Sequence, residues 1–171
     1  MRQIEMEPGS IVLPLPDDDY ITRLERGYRI VLPEDYKEFL KSSGGGRPVG
    51  YQGFCGDGRR WAIDRFLCLT RDYRDNPLGM YDLDVTWSQL SDRMNEDPDG
   101  VGMFMVPVVV LFAGDFLCLD YRGCAAEPRT GPSVVVWLHD ESDILAPVTR
   151  PVCGTFTEFL DLITESGSAD G

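Results

Sequence analysis

His139 is the chain's single histidine; Asp140 and Glu141 follow it, and Ser133 and Ser142 lie close on either side. A nucleophilic triad needs a hydroxyl or thiol, a histidine base and an orienting carboxylate, so a histidine-dependent triad here must use His139. Neither serine sits in a Gly-x-Ser-x-Gly elbow. Asp115 and Asp120 could in principle do paired-carboxylate acid–base work of the glycosidase kind. Acids at turns and strand ends, however, mostly satisfy backbone donors or face solvent. Asp115, Asp120, His139, Asp140 and Glu141 would also converge on a metal if the segments carrying them pair as strands. Structural zinc sites use Cys and His at tight spacing, and calcium loops use dense Asp/Asn around a fixed Gly; neither pattern is present. Gly44-Gly45-Gly46 is followed by Arg47-Pro48, not the Lys-Ser/Thr of a phosphate loop, so it reads as a helix stop. The expectation is no catalytic set, no metal and no cofactor. A small hydrolase using His139 and nearby carboxylates is the remote alternative.

Cysteine and charge narrow the classes further. Of the five cysteines, Cys55, Cys68, Cys118, Cys124 and Cys153, none forms a Cys-x-x-Cys pair, and any disulfide scheme leaves one over. Buried, reduced thiols are expected, with Cys68 and Cys118 inside apolar strand-like runs. Net charge is −13, unevenly spread: residues 1–94 hold 16 acids and 13 bases, residues 95–171 hold 13 acids and 3 bases. Such a field repels nucleic acid and anionic lipid and attracts basic partners, although acidity alone also serves solubility. The longest apolar run, about 103–113, is well short of the roughly 20 residues a bilayer span requires. Met1–Pro8 has no apolar core of signal-peptide length, so a cytoplasmic setting is expected.

The elements that must position these groups are helices framing strands. Pro8, Pro14 and Pro16 make residues 1–16 an extended arm. Asp17 to Asp19 suit a helix start, with Ile21, Leu24 and Tyr28 on one face. A second helix opens near Pro33, buries Tyr36, Phe39 and Leu40, and stops at Gly44 to Gly46. Tyr51–Phe54 and Trp61–Thr70 read as strands around the Gly56-Asp57-Gly58 turn. A loop over 71–82 and a helix over about 84–95, with Val85, Leu90 and Met94 as its apolar set, follow. Met103–Phe112, Phe116–Arg122 and Val134–His139 read as strands. In the second of these, Leu117, Leu119 and Tyr121 share one face, and Phe116, Cys118, Asp120 and Arg122 the other. Thr155 and Glu158 have capping-box spacing before Phe156, Phe159, Leu160 and Ile163. Short turns favour antiparallel pairing. The fold class expected is α+β, a single domain with a central mainly antiparallel sheet flanked by N-terminal helices and a C-terminal helix, over residues 17–165, with a flexible tail at 166–171.

Several of these pieces resemble the SUKH superfamily, which groups bacterial immunity proteins with fungal regulators of cell-wall synthesis. They are Leu32-Pro33 with Tyr36, Phe39 and Leu40; the Gly45-Gly46 turn; Gly114-Asp115 with Leu119-Asp120; Val135, Trp137 and His139 with Asp140-Glu141; and Phe156, Phe159 and Leu160. The resemblance covers roughly residues 17–163. It departs at Ser43 or Gly44, where the family has Asn before the paired glycines, and in the insert at 71–101. The resemblance implies an α+β fold and, in bacteria, a non-enzymatic immunity protein of a polymorphic toxin system. Such a protein binds its cognate toxin one-to-one inside the cell, and many such toxins are nucleases with basic clefts. The expected partner is therefore a protein toxin with a basic surface, without direct nucleic-acid or membrane contact. Asp115, Asp120, Asp140, Glu141 and Asp143 are the expected partner-binding acids, clustered at one end of two adjacent strands. The bland alternative makes Asp115 and Asp120 structural. An interaction module in a regulatory or scaffolding complex without a toxin is the other functional reading.

Overall fold

A computed structural model of the chain describes residues 1–50, 52–99 and 102–165. In chain order the elements are α1 (Asp18–Tyr28), α2 (Glu34–Ser43), β1 (Gln52–Gly56), β2 (Arg59–Phe66), α3 (Leu83–Met94), β3 (Met105–Leu111), β4 (Phe116–Asp120), β5 (Ser133–Trp137), β6 (Thr149–Cys153), α4 (Phe156–Leu162) and β7 (Thr164–Glu165). All strand pairings are antiparallel, in the order β6-β5-β4-β3-β2-β1-β7. The α+β single domain anticipated from the sequence is what forms.

The framing helices begin and end where the residues dictate. Asp17 accepts the Tyr20 N–H at 2.8 Å, and Asp18 and Asp19 sit at the positive end of the α1 dipole. α2 follows Pro33, buries Tyr36, Phe39 and Leu40, and ends at Gly44 with φ 64°. Next to it, Gly45 approaches the sheet so closely that an added Cβ would lie 2.7 Å from the Leu67 carbonyl oxygen. Gly46 then exchanges two backbone hydrogen bonds with Phe66, at 3.0 and 2.8 Å. The paired glycines thus fasten the end of α2 to the end of β2. At α4 the capping box is complete: Thr155 Oγ1 accepts the Glu158 N–H, and the Glu158 carboxylate accepts the Thr155 N–H, each at 3.1 Å.

α2 and α4 lie together although six of the seven strands separate them in sequence. Asp35 Oδ2 accepts both the Thr157 N–H (2.9 Å) and its hydroxyl (2.8 Å). Rings interlock beneath that bond, with centroids 5.0 Å apart for Tyr36–Phe156, 5.2 Å for Phe39–Phe156 and 5.1 Å for Phe54–Phe159. This aromatic layer packs on one sheet face, with Leu117, Leu119, Val134 and Val136 in the same core. The opposite face carries a second buried cluster of Met94, Met105, Cys118, Val135 and Trp137, roofed by α3. The alternation read in β4 is therefore correct, and both of its sides are dry.

Several boundaries differ from expectation. β2 stops at Phe66 rather than Thr70, β4 at Asp120 rather than Arg122, and β5 spans Ser133–Trp137. β6 and β7 carry no recognisable alternation in the sequence; β6 includes Arg150 and Pro151, and it exposes Pro151. Pro107 is accommodated within a central strand because the register shifts between Pro107 and Val109. The thiols divide: Cys68 and Cys118 are buried, and burial pushes the Cys68 thiol up to about 12, but Cys55 is exposed. Cys55 follows buried Phe54 along β1, so strand alternation turns it to the other, open side. Tyr51 and the tail at 166–171 lie outside the described residues.

The order of hairpins decides where polar groups can go. Consecutive antiparallel strands put the β1–β2, β3–β4 and β5–β6 connections at one end of the sheet, called here the hairpin end. The β2–α3–β3 crossover and the β4–β5 connection lie at the other. The sheet also curls: a Cβ on Gly56 would meet Val152 of β6 at 3.2 Å, and Arg150 lies 3.7 Å from Asp57. Truncating the ring that joins α2 to α4, Phe156→Ala, is expected to cost about 3–5 kcal/mol of stability. Urea unfolding should show a lowered midpoint at unchanged slope.

Candidate partner-binding surface

The β5–β6 connection, residues 138–148, is an ordered loop at the hairpin end. The Leu138 N–H donates to the Val148 carbonyl at 2.9 Å and closes it. Within it the Val148 N–H donates to Ser142 Oγ at 2.9 Å. Asp143 and Ala146 exchange backbone hydrogen bonds at 3.1 and 3.0 Å, leaving Ile144 and Leu145 as the two tip residues. Leu145 has φ 55°, the left-handed region that costs a residue with a Cβ roughly 1–2 kcal/mol. Its N–H donates to the Asp92 carbonyl of α3 at 2.8 Å.

The last turn of α3 holds the loop from below. The Arg93 guanidinium donates to the Ser142 carbonyl at 2.7 Å and to the His139 carbonyl, and lies 5.2 Å over the Trp137 ring. Trp137 in turn donates its indole N–H to the Arg93 carbonyl at 3.1 Å. From the other side, Asp115 Oδ1 accepts the His139 N–H at 2.9 Å. Gly114, at φ 86°, fits against the imidazole, where an added Cβ would come within 3.4 Å. Tight contact with the ring and the left-handed backbone both favour glycine there.

The five predicted acids do not share one place or one role. Asp140, Glu141 and Asp143 are exposed on the loop. Asp140 Oδ1 lies 2.9 Å from His139 Nδ1, Glu141 is 3.8 Å from Arg59, and Asp143 Oδ1 accepts the Ile144 N–H at 2.7 Å. Asp115 is at the same end but half-buried and engaged by the loop backbone. Asp120 stands apart from the other four. Phe116 pairs with Trp137 while Asp120 pairs with Ser133, so Asp120 lies at the crossover end, about 13 Å along the strand. There it is bound by Arg122, through Nε at 3.0 Å and Nη2 at 2.9 Å. Hydrogen bonds to Asp120 hold the Arg122 guanidinium above its usual pKa. Antiparallel pairing can bring only one end of β4 to the residues after β5, and that end carries Asp115.

The same register separates the groups weighed for catalysis. Asp115 and Asp120 sit at opposite ends of β4, and Ser133 lies opposite Asp120, away from His139. Ser142 is near His139 in sequence but buried, its hydroxyl occupied by the Val148 N–H. Among the described residues no three His, Cys, Asp or Glu side chains are grouped so as to hold a metal ion. Among them also, no helix is long and apolar enough to cross a membrane. Sequence reasoning missed Asp92 and Arg93, which meet the loop only through the fold, and the pair Ile144-Leu145. The last was detectable: two bulky aliphatics stand between Asp143 and Ala146-Pro147, outside any helical or strand period.

The sequence model of the SMI1 / KNR4 family (SUKH-1) matches residues 15–162. That stretch runs from just before α1 to the last residue of α4 and contains the whole loop and its supports. No curated protein and no solved structure matches the chain.

Arg93→Ala leaves the His139 and Ser142 carbonyls without their charged donor. A hydrogen bond from a charged group contributes about 1.5–3 kcal/mol, so stability is expected to fall by that order. Hydrogen exchange should quicken at the Leu145 and Val148 amides before it quickens in β4. Unchanged exchange across the loop would show that Arg93 does not hold it.

Proposed function

This chain belongs to the SMI1 / KNR4 family (SUKH-1), and on that premise we propose that it is a non-enzymatic, cytoplasmic immunity protein of a bacterial toxin system. It neutralises a cognate toxin by binding it through the hairpin end. The observation that carries this reading is the acidic loop itself. Asp140, Glu141 and Asp143 are exposed on a backbone that Arg93, Asp115 and Asp92 fix in place. Fixed groups bind with less ordering cost than mobile ones. Carboxylates held in this way suit a basic protein surface, such as the cleft of a nuclease toxin, where they compete for the cations that hold phosphates.

The remaining acids serve other purposes in this account. Asp115 positions the loop, and Asp120 is neutralised by Arg122, so neither is a principal contact. The non-enzymatic reading is supported by the occupied hydroxyl of Ser142 and by the separation of Ser133 from His139. A scaffolding role without a toxin would use the same loop; the experiment below separates the two.

Co-expression with the toxin domain encoded beside this gene is expected to rescue growth and to yield a stable complex on size exclusion. Absence of both would contradict immunity and leave the scaffolding role. The association rate should fall about tenfold or more between low and high salt, because exposed charges are screened beyond roughly 10 Å at 0.1 M. His139→Gln is expected to rescue growth as the native chain does. Loss of rescue by a folded His139→Gln protein that still binds the toxin would restore the hydrolase reading.

A further inference from the structure

We infer that Ile144 and Leu145 are the anchor of this interface, seated in an apolar recess ringed by cations on a protein partner. The inference rests on the binding role proposed above and adds what fills the centre of the contact. Ile144 is 66% exposed and Leu145 37% exposed, and neither belongs to the two buried core clusters. Nor does Leu145 suit the turn position it occupies. The second tip position has φ 55°, where Gly or Asn is favoured and a branched side chain is disfavoured. A largely exposed Ile144 and a Leu145 in left-handed backbone are therefore unexplained by folding alone.

Their surroundings describe the partner. Asp143 precedes the tip and Asp92 lies beneath it, joined through the Leu145 N–H. Neither carboxylate has a cationic partner among the described residues. Asp140 adds a third exposed acid, 2.9 Å from His139 Nδ1. Arg93, which holds the loop, is turned inward onto the loop carbonyls and the Trp137 ring. Glu141, further along the loop, lies 3.8 Å from Arg59. An apolar centre with an acidic rim is the anatomy of an interface hot spot, in which rigid apolar side chains supply affinity and rim charges supply steering. The same rim disfavours other occupants. A second copy of this chain would set like charges face to face, and an anionic membrane or nucleic acid would be repelled.

The test uses the full chain and the toxin domain encoded beside its gene, with affinity read by calorimetry and rates by surface plasmon resonance. Ile144→Ser is expected to weaken binding about 10- to 100-fold, mostly through faster dissociation. Leu145→Gly relieves the left-handed strain, so its melting temperature should equal or exceed the native value while its binding weakens at least fivefold. Loss of affinity without loss of stability excludes misfolding as the cause. Asp92→Asn with Asp143→Asn should instead slow association and flatten its salt dependence. If the native chain binds and both tip variants bind equally well, the anchor is refuted while the immunity reading stands. If the native chain does not bind, both fall together.

Discussion

Burial of the sheet on both faces governs where this protein can keep polar groups. In β4 and β5, Leu117, Leu119, Val134 and Val136 face the aromatic layer of α2 and α4, while Cys118, Val135 and Trp137 face α3. A carboxylate within either face would be desolvated without compensation, at a cost of several kcal/mol. The acids of the C-terminal half are therefore driven to strand ends and connections. Consecutive hairpins then sort those ends into two distinct places. At the crossover end Asp120 is neutralised by Arg122, which Glu96 also holds at 2.7 Å. At the hairpin end Asp140, Glu141 and Asp143 stand exposed on a loop.

That loop owes its order to neighbours remote in the chain. Arg93 satisfies two loop carbonyls, Asp92 receives the Leu145 N–H, and Asp115 receives the His139 N–H. The support reaches deeper, because Trp137 both anchors the second core and donates to Arg93. Packing of α3 on the sheet is thus coupled to the shape of the acidic surface. A surface built this way can meet a partner with little rearrangement, which favours tight, slowly dissociating complexes.

What could be read beforehand was local, and what could not was long-range. The α4 capping box, the Gly44–Gly46 stop and the two-faced alternation of β4 follow from neighbouring residues, and all three are present. The acids flanking β4 look equivalent in sequence, and only the direction of β5 assigns Asp115 and Asp120 to different ends. β6 escaped notice since Pro151 interrupts it and neither face alternates cleanly. Asp92 and Arg93 lie on a helix some fifty residues from the loop they support, and no periodicity encodes that contact. The tip pair Ile144-Leu145 was visible as an anomaly, aliphatic where a turn would prefer small or polar residues.

On the proposed reading the hairpin end, not the crossover end, meets the partner. Hydrogen exchange of the full chain, alone and bound to the toxin proposed above as its partner, distinguishes the two ends. The account predicts new protection across 139–146 and at the end of α3, with 120–132 unchanged. Protection confined to 120–132 or to the N-terminal arm, with the loop exchanging as in the free chain, would contradict it.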